Sequence, residues 1–451
     1  MDPKKDTAKN ERLTLETAYV HLKEVNFKMF NLDIKGAKEK HGDALLWCNL
    51  GNPQAVGQKP ITYHREVMSA VTLPCLTDSN DMISETALIR QQIADFVTER
   101  DGYAARPEDI YMTNGATEGI QHLLRLLVRH DGDSVLLPCP FYPVYPSYLQ
   151  FVGGVPLYYY LDEEDDWAVK GSELERAYAE AVSKGHPPRC INVINPNNPT
   201  GSVLSRESLY VICRFAHAHG LPILADEVYQ RNIYEPDTRP FLSCHQIAQE
   251  LESKGECQGL QVISLHSASK GLSAECGRRG GYMHFHNIDQ ELVSAFDDIL
   301  SMGCPNIEGM VAMAAIVNPP PEGSDAYTLY REECDALLSS LARKAGMLAD
   351  TFNSWDGMSC VCPAGSMYTY PRLEVPPKAL AAAEREGISP DTMYVQGLLD
   401  AVGVVVLPGY MFGQKEGTYH LRMTILPPED KLAGVLDAWA LFHKGWMAKY
   451  Q

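Results

Sequence analysis

A chain of 451 residues, 45 % apolar and 22 % charged, has the size and apolar content for two to three domains, or for one large domain with a smaller one attached. Its formal net charge of −19 argues against nucleic acid or an anionic membrane as the main partner. Its twelve scattered cysteines form no C-x-x-C pair, which argues against a disulfide framework or a zinc site and fits a reducing compartment.

The first residues, MDPKKDTAKNERLT, contain no apolar core of a secretory signal. They carry acids and lack an amphipathic Arg/Ser pattern, so the expected location is cytoplasmic. From about residue 105 to 290, strand and helix patterns alternate. GATEGIQHLLRLLVRH (115–130) spaces Ile120, Leu123, Leu124 and Leu127 on one helical face, and DSVLLP (133–138) is a short apolar strand. RCINVI (189–194), LPILAD (221–226) and LQVISLH (260–266) are three more strands. Between the first two of these, residues 205–220 predict a helix with Ser205 as N-cap and Gly220 at its end. Such alternation means an α/β fold with a mainly parallel sheet covered on both faces. The turn-forming NPPPEGSD (318–325) precedes a long amphipathic helix over 326–354. Short strands in SMYTYPRL, GVVVLPG and HLRMTILPP follow, then a last helix, so the C-terminal part reads as a separate α+β unit. The longest apolar stretch, AVGVVVLPG, is too short to span a bilayer.

In parallel sheets, ligands sit beyond the C-terminal strand ends. There the chain places polar residues: Asn198 in NPNNPTG, Asp226 and Tyr229 in LADEVYQ, and Ser267 and Lys270 in SLHSASKG. Ala116 and Thr117 open the helix after TNG, where backbone N–H groups suit a phosphate. Taken singly, each is ordinary: an Asp after a strand caps or turns, NPNNPTG is a turn, a lysine is solvated, and Tyr142 in PCPFYPVY packs a core. Their co-location at one sheet edge is what points to chemistry. Pyridoxal phosphate catalysis needs this set. A lysine amine joins the aldehyde, which suits Lys270. A carboxylate keeps the pyridine nitrogen protonated, which suits Asp226. Tyr229 and Asn198 suit the ring oxygen and Tyr142 the ring face. Ala116, Thr117, Ser267 and one of Arg278 or Arg279 suit the phosphate.

At these residues the chain resembles the fold-type I pyridoxal-phosphate aminotransferases and, within them, the alanine aminotransferases. The likeness runs through NLGNPQAVGQKPITYHREV (49–67), NPNNPTG, LADEVYQ, SASKG, RRGGY, GSMYTYPR and GTYHLRMTILPP, and so covers nearly the whole chain. It implies a large cofactor domain with a seven-stranded, mainly parallel sheet and a smaller α+β domain drawn from both chain ends. The division implied is 1–63 for the arm and part of the small domain, 64–305 for the large domain and 306–451 for the rest. The resemblance implies Lys270 as the Schiff-base lysine, Asp226 as the pyridinium partner, and Tyr229 and Asn198 as partners of the ring oxygen. It puts Tyr142 on the ring face, Ser267 and Arg279 at the phosphate, Arg422 on the substrate α-carboxylate and Gly51 facing the substrate. Without it, Arg422 reads as a surface strand charge. The implied reaction is L-alanine plus 2-oxoglutarate to pyruvate plus L-glutamate, in a homodimer.

One stretch departs from the pattern. Residues 68–90 are shorter than the family's segment, and no tyrosine occurs between Tyr63 and Tyr103. The family's tyrosine here crosses to the neighbour's phosphate. Two rivals therefore stand beside the reading: another pyridoxal-phosphate reaction, such as a C–S lyase or an aminotransferase for other amino acids, and an inactive truncated form.

Overall fold

The computed structural model describes residues 32–49, 51–72, 82–301 and 305–451. Seven strands form the central sheet: β1 (Ile110–Thr113), β2 (Ser134–Cys139), β3 (Val155–Tyr160), β4 (Pro188–Ile194), β5 (Ile223–Asp226), β6 (Val262–Ser267) and β7 (Gly281–His286). Their order across the sheet is β1-β7-β6-β5-β4-β2-β3. β7 runs antiparallel to both of its neighbours, and the remaining pairs are parallel.

Side-chain alternation explains why helices cover both faces. Leu136, Ile223, Ala225 and Val262 point into one cluster, with Leu209, Ile212 and Cys213 of the helix Arg206–Ala218 and Ile247 and Leu251 of the helix Cys244–Ser253. Their chain neighbours Val135, Leu137, Leu224, Ile263 and Leu265 point the other way, onto Ile120, Leu123 and Leu124 of the helix Ala116–Leu127. A strand buried on both faces reads as a continuous apolar run, which is why β2, β4, β5 and β6 are visible in the sequence. The expected helix over 205–220 spans Arg206–Ala218, with the Ser205 hydroxyl accepting from the Ser208 amide.

The smaller unit is built around the 29-residue helix Asp325–Asn353 and the closing helix Glu429–Tyr450. Its central strand Leu421–Thr424 lies between Leu407–Pro408 and Tyr368–Thr369. The N-terminal strand Leu46–Trp47 pairs in parallel with Val404–Val405, and the Thr424 amide donates to the Cys48 carbonyl at 2.8 Å. A segment that precedes the large sheet and the residues that follow it thus pair in this unit. The division expected at residue 305 falls before the helix Ile307–Val317. That helix packs Met310, Val311, Met313 and Ile316 with Ile93, Ile110 and Tyr282 against the edge of the large sheet. Of the shortened segment, residues 73–81 lie outside the described residues; Thr62–Thr72 and Met82–Asp101 on either side are helical. Among the described residues no helix is long and apolar enough to cross a membrane.

Candidate active site

β4, β5 and β6 lie side by side, and Asp226 pairs in register with both Ile194 and Leu265. Their ends therefore bring the NPNNPTG turn, Asp226 and the Ser267–Lys270 turn to one edge. Asp226 is buried, accepts from the Tyr145 hydroxyl at 2.9 Å and from the Val228 amide at 3.4 Å. Burial pushes its carboxyl up to about 6, against the opposing pull of Tyr145, the Val228 amide and the Lys270 charge. The turn after β4 is fastened by its own side chains. Asn197 Oδ1 accepts from the Thr200 amide and hydroxyl, and Asn195 Oδ1 from the Leu204 amide. The segment is thus a fastened turn, and the fastening leaves Asn198 facing Arg422.

Arg422 is buried on the strand Leu421–Thr424, with Nη2 donating to the Asn49 carbonyl at 2.7 Å and Nη1 to Asn198 Oδ1 at 3.2 Å. Its guanidinium lies between the rings of Tyr368 and Phe412, 4.4 Å from each centroid. Nε has no partner. A buried, pre-oriented fork with unspent donors is a carboxylate-binding device, since lysine could not present the same planar pair.

Lys270 Nζ donates to the Gly51 carbonyl. Gly51 has no room for a side chain: a Cβ there would press on Tyr368 Oη and stand 2.9 Å from Lys270 Nζ. At the far end, Arg279 Nη2 donates to the Asn114 carbonyl at 2.9 Å and Nη1 to Ser269 Oγ at 3.1 Å. Arg278 turns away to Glu308 at 2.5 Å. Ser267 Oγ accepts from the Ser269 amide at 3.0 Å. The helix after β1 starts at Ala116, so its first amides, with Thr117, have no intrahelical acceptor. Gly115 before it sits at φ 96°, and a Cβ there would come within 2.7 Å of Arg279 Nη2.

These residues fit pyridoxal phosphate. The cradle a Cβ at residue 115 would fill combines helix amides with a guanidinium, the donor set a phosphate needs. A buried carboxylate suits a ring N–H, and Tyr142 stands at the same edge, its phenol pushed up to about 12 by burial and by neighbouring Tyr368 and Asp226. Tyr229 joins them, its hydroxyl donating to Tyr368 Oη at 3.3 Å, so all eleven expected site residues come together. Sequence reasoning passed over Tyr145, Ser269, Tyr368, Phe412 and the carbonyl of Asn49. The first reads as a core position of a short helix, and a backbone carbonyl leaves no trace in sequence. Tyr368 stood within the quoted GSMYTYPR but without a role.

Comparison with known proteins shows the family. The family model for aminotransferase class I and II matches residues 83–438. "Alanine aminotransferase 2" of Panicum miliaceum is 39 % identical over 439 residues, covering 91 % of this chain and 90 % of its own length. "Glutamate--glyoxylate aminotransferase 1" of Arabidopsis thaliana is 36 % identical, covering 91 % of each. Among solved structures, an alanine aminotransferase from Pyrococcus furiosus has a TM-score of 0.79 at 24 % identity, covering 95 % of this chain and 100 % of its own; it is similar in fold. The chain belongs to the class I and II aminotransferases, which are pyridoxal-phosphate-dependent transaminases.

Proposed function

We propose that the protein is an alanine aminotransferase, transferring the amino group of L-alanine to 2-oxoglutarate. The observation that carries this is the 39 % identity to a relative of that name over nine-tenths of both chains. Lys270 would hold the aldehyde of pyridoxal phosphate, Asp226 its ring nitrogen, Tyr229 and Asn198 its ring oxygen, and Tyr142 its face. Ala116, Thr117, Ser267 and Arg279 would hold the phosphate. When bound, the cofactor supplies an aldehyde that joins amines and a ring that accepts electrons. Arg422 grips the α-carboxylate common to both amino acids, and the Tyr368 and Phe412 rings keep water from the guanidinium. Gly51 leaves space where the substrate's α-carbon must approach. Lys270 Nζ, once free, takes the α-proton as base and returns it as acid.

The same reading divides the chain into 1–63, 64–305 and 306–451 and makes the protein a cytoplasmic homodimer. Its ten described cysteines are unpaired, as a reducing compartment allows. A panel of amino donors and keto-acid acceptors tests the substrate assignment. Alanine with 2-oxoglutarate should exceed other pairs by at least about tenfold in kcat/KM, a difference of ~1.4 kcal/mol. Preference for glutamate with glyoxylate, the second reading that the 36 % identical relative favours, would overturn it. Sulfide release from cysteine as the main reaction would do the same. Arg422→Lys should weaken the alanine and glutamate half-reactions together, since both present an α-carboxylate. A loss confined to one of them would show that Arg422 reads a side chain.

A further inference from the structure

Tyr368 has a place in the site that its role as a ring wall does not exhaust. It sits on the short strand Tyr368–Thr369, paired with the strand of Arg422, and is 2 % exposed. Three groups meet at it. The Tyr229 hydroxyl donates to Tyr368 Oη at 3.3 Å. The Arg422 guanidinium rests over its ring. Across the bare Cα of Gly51, Tyr368 Oη faces Lys270 Nζ. The charge state follows from these neighbours. Burial would raise the phenol, but the Lys270 and Arg422 charges and the Tyr229 bond outweigh it and hold Tyr368 below its usual range. Tyr229, also buried, is held well above. Of the two touching phenols, Tyr368 is the one whose surroundings favour the ionised form.

We propose that Tyr368 is a positioning residue for proton transfer, its phenolic oxygen holding the free amine of Lys270 beside the Gly51 carbonyl. The inference rests on Lys270 as the proton carrier. A lysine that leaves its covalent post carries four rotatable bonds and a charge, and drifts into solvent unless something faces it. The oxygen of Tyr368 supplies that facing group, and its ring ties the amine's position to the arginine that holds the substrate. No proton leaves Tyr368 for the substrate. Lys270 Nζ takes and returns the α-proton, while the phenolic oxygen accepts a hydrogen bond from the ammonium.

Tyr368→Phe keeps the ring under Arg422 and removes only the oxygen. The variant should lose about tenfold or more in kcat, as expected for one hydrogen bond to a charged group. KM for alanine and glutamate should stay within about twofold, because the carboxylate grip is unchanged. The isotope effect with α-deuterated alanine should rise as proton transfer becomes limiting. Tyr368→Leu, which also removes the ring, should raise KM in addition. An independent reading comes from the cofactor-free chain, by ultraviolet titration of tyrosinate. One phenol should ionise below the others, vanish in Tyr368→Phe, and move upward in Lys270→Met. Unchanged kcat and isotope effect in Tyr368→Phe would overturn the proposal. So would a tyrosinate titration indifferent to Lys270→Met, a measurement that reads Tyr368 in its native form. Turnover surviving in Lys270→Met would instead remove Lys270 as the proton carrier, and this inference with it.

Discussion

Asp226 is a carboxylate kept in a place that resists its charge. With the folded group near 6 and an unfolded aspartate near ~3.9, the folded chain binds more protons than the unfolded one between those values. Stability of the cofactor-free chain therefore falls as pH rises from about 4 to about 6, and the whole cost, about 3 kcal/mol, stands above that window. Asp226→Asn removes the charge and keeps an acceptor for Tyr145. Urea melts of the cofactor-free variant should show a gain of up to about 3 kcal/mol at pH 7.5, shrinking toward zero near pH 4. Its kcat should drop at least about a hundredfold, because a neutral amide lacks the negative charge that keeps a ring nitrogen protonated. A variant no more stable than the parent at pH 7.5 would mean that Asp226 carries no uncompensated charge there. Asp226 and Lys270 stood out in the sequence because Asp226 ends, and Lys270 lies three residues beyond, a mostly apolar run that reads as a buried strand. Tyr145 was not, since nothing in VYPSYLQF separates a phenol aimed at a carboxylate from one packed in a core.

Among the elements, the turn before the helix Ala116–Leu127 constrains the Arg279 end of the site. Gly115→Ala forces a side chain into a φ of 96° and against the Arg279 guanidinium. The fold should survive with a loss of about 1–2 kcal/mol. Cofactor dissociation, followed by absorbance, should quicken by about tenfold, as expected for one displaced charge-assisted donor. Unaltered dissociation would remove Arg279 and the helix start from the phosphate's surroundings. Strands β1, β3 and β7 escaped the sequence reading. β3 is an edge strand with half-buried tyrosines, and β7 carries His284 and His286 in its pattern. Neither shows the uninterrupted apolar run of an interior parallel strand. The short strands of the C-terminal unit were legible from their motifs, but two-residue pairings have no periodicity to announce their partners.

At the scale of the whole molecule, the absent tyrosine of 68–90 bears on how firmly the cofactor stays. Losing one hydrogen bond to a charged group costs roughly 1.5–3 kcal/mol, about ten- to a hundredfold in affinity. The protein should be isolated with partial occupancy, gain activity on added pyridoxal phosphate, and dimerise weakly in sedimentation. Full occupancy through dialysis would show that another residue has taken the tyrosine's place; no binding at saturation would favour the inactive form. The pairing of Leu46–Trp47 with Val404–Val405 escaped pattern reading, because it joins segments some 350 residues apart. It delivers Asn49 and Gly51 to the site. Their carbonyls hold Arg422 and Lys270 respectively, and two residues of extended chain reach only ~7 Å. The stretch is thus a latch with two catches. A carboxylate arriving at Arg422 competes with the Asn49 carbonyl for Nη2. One pairing of distant segments thus supplies an acceptor to each of two cations of the site.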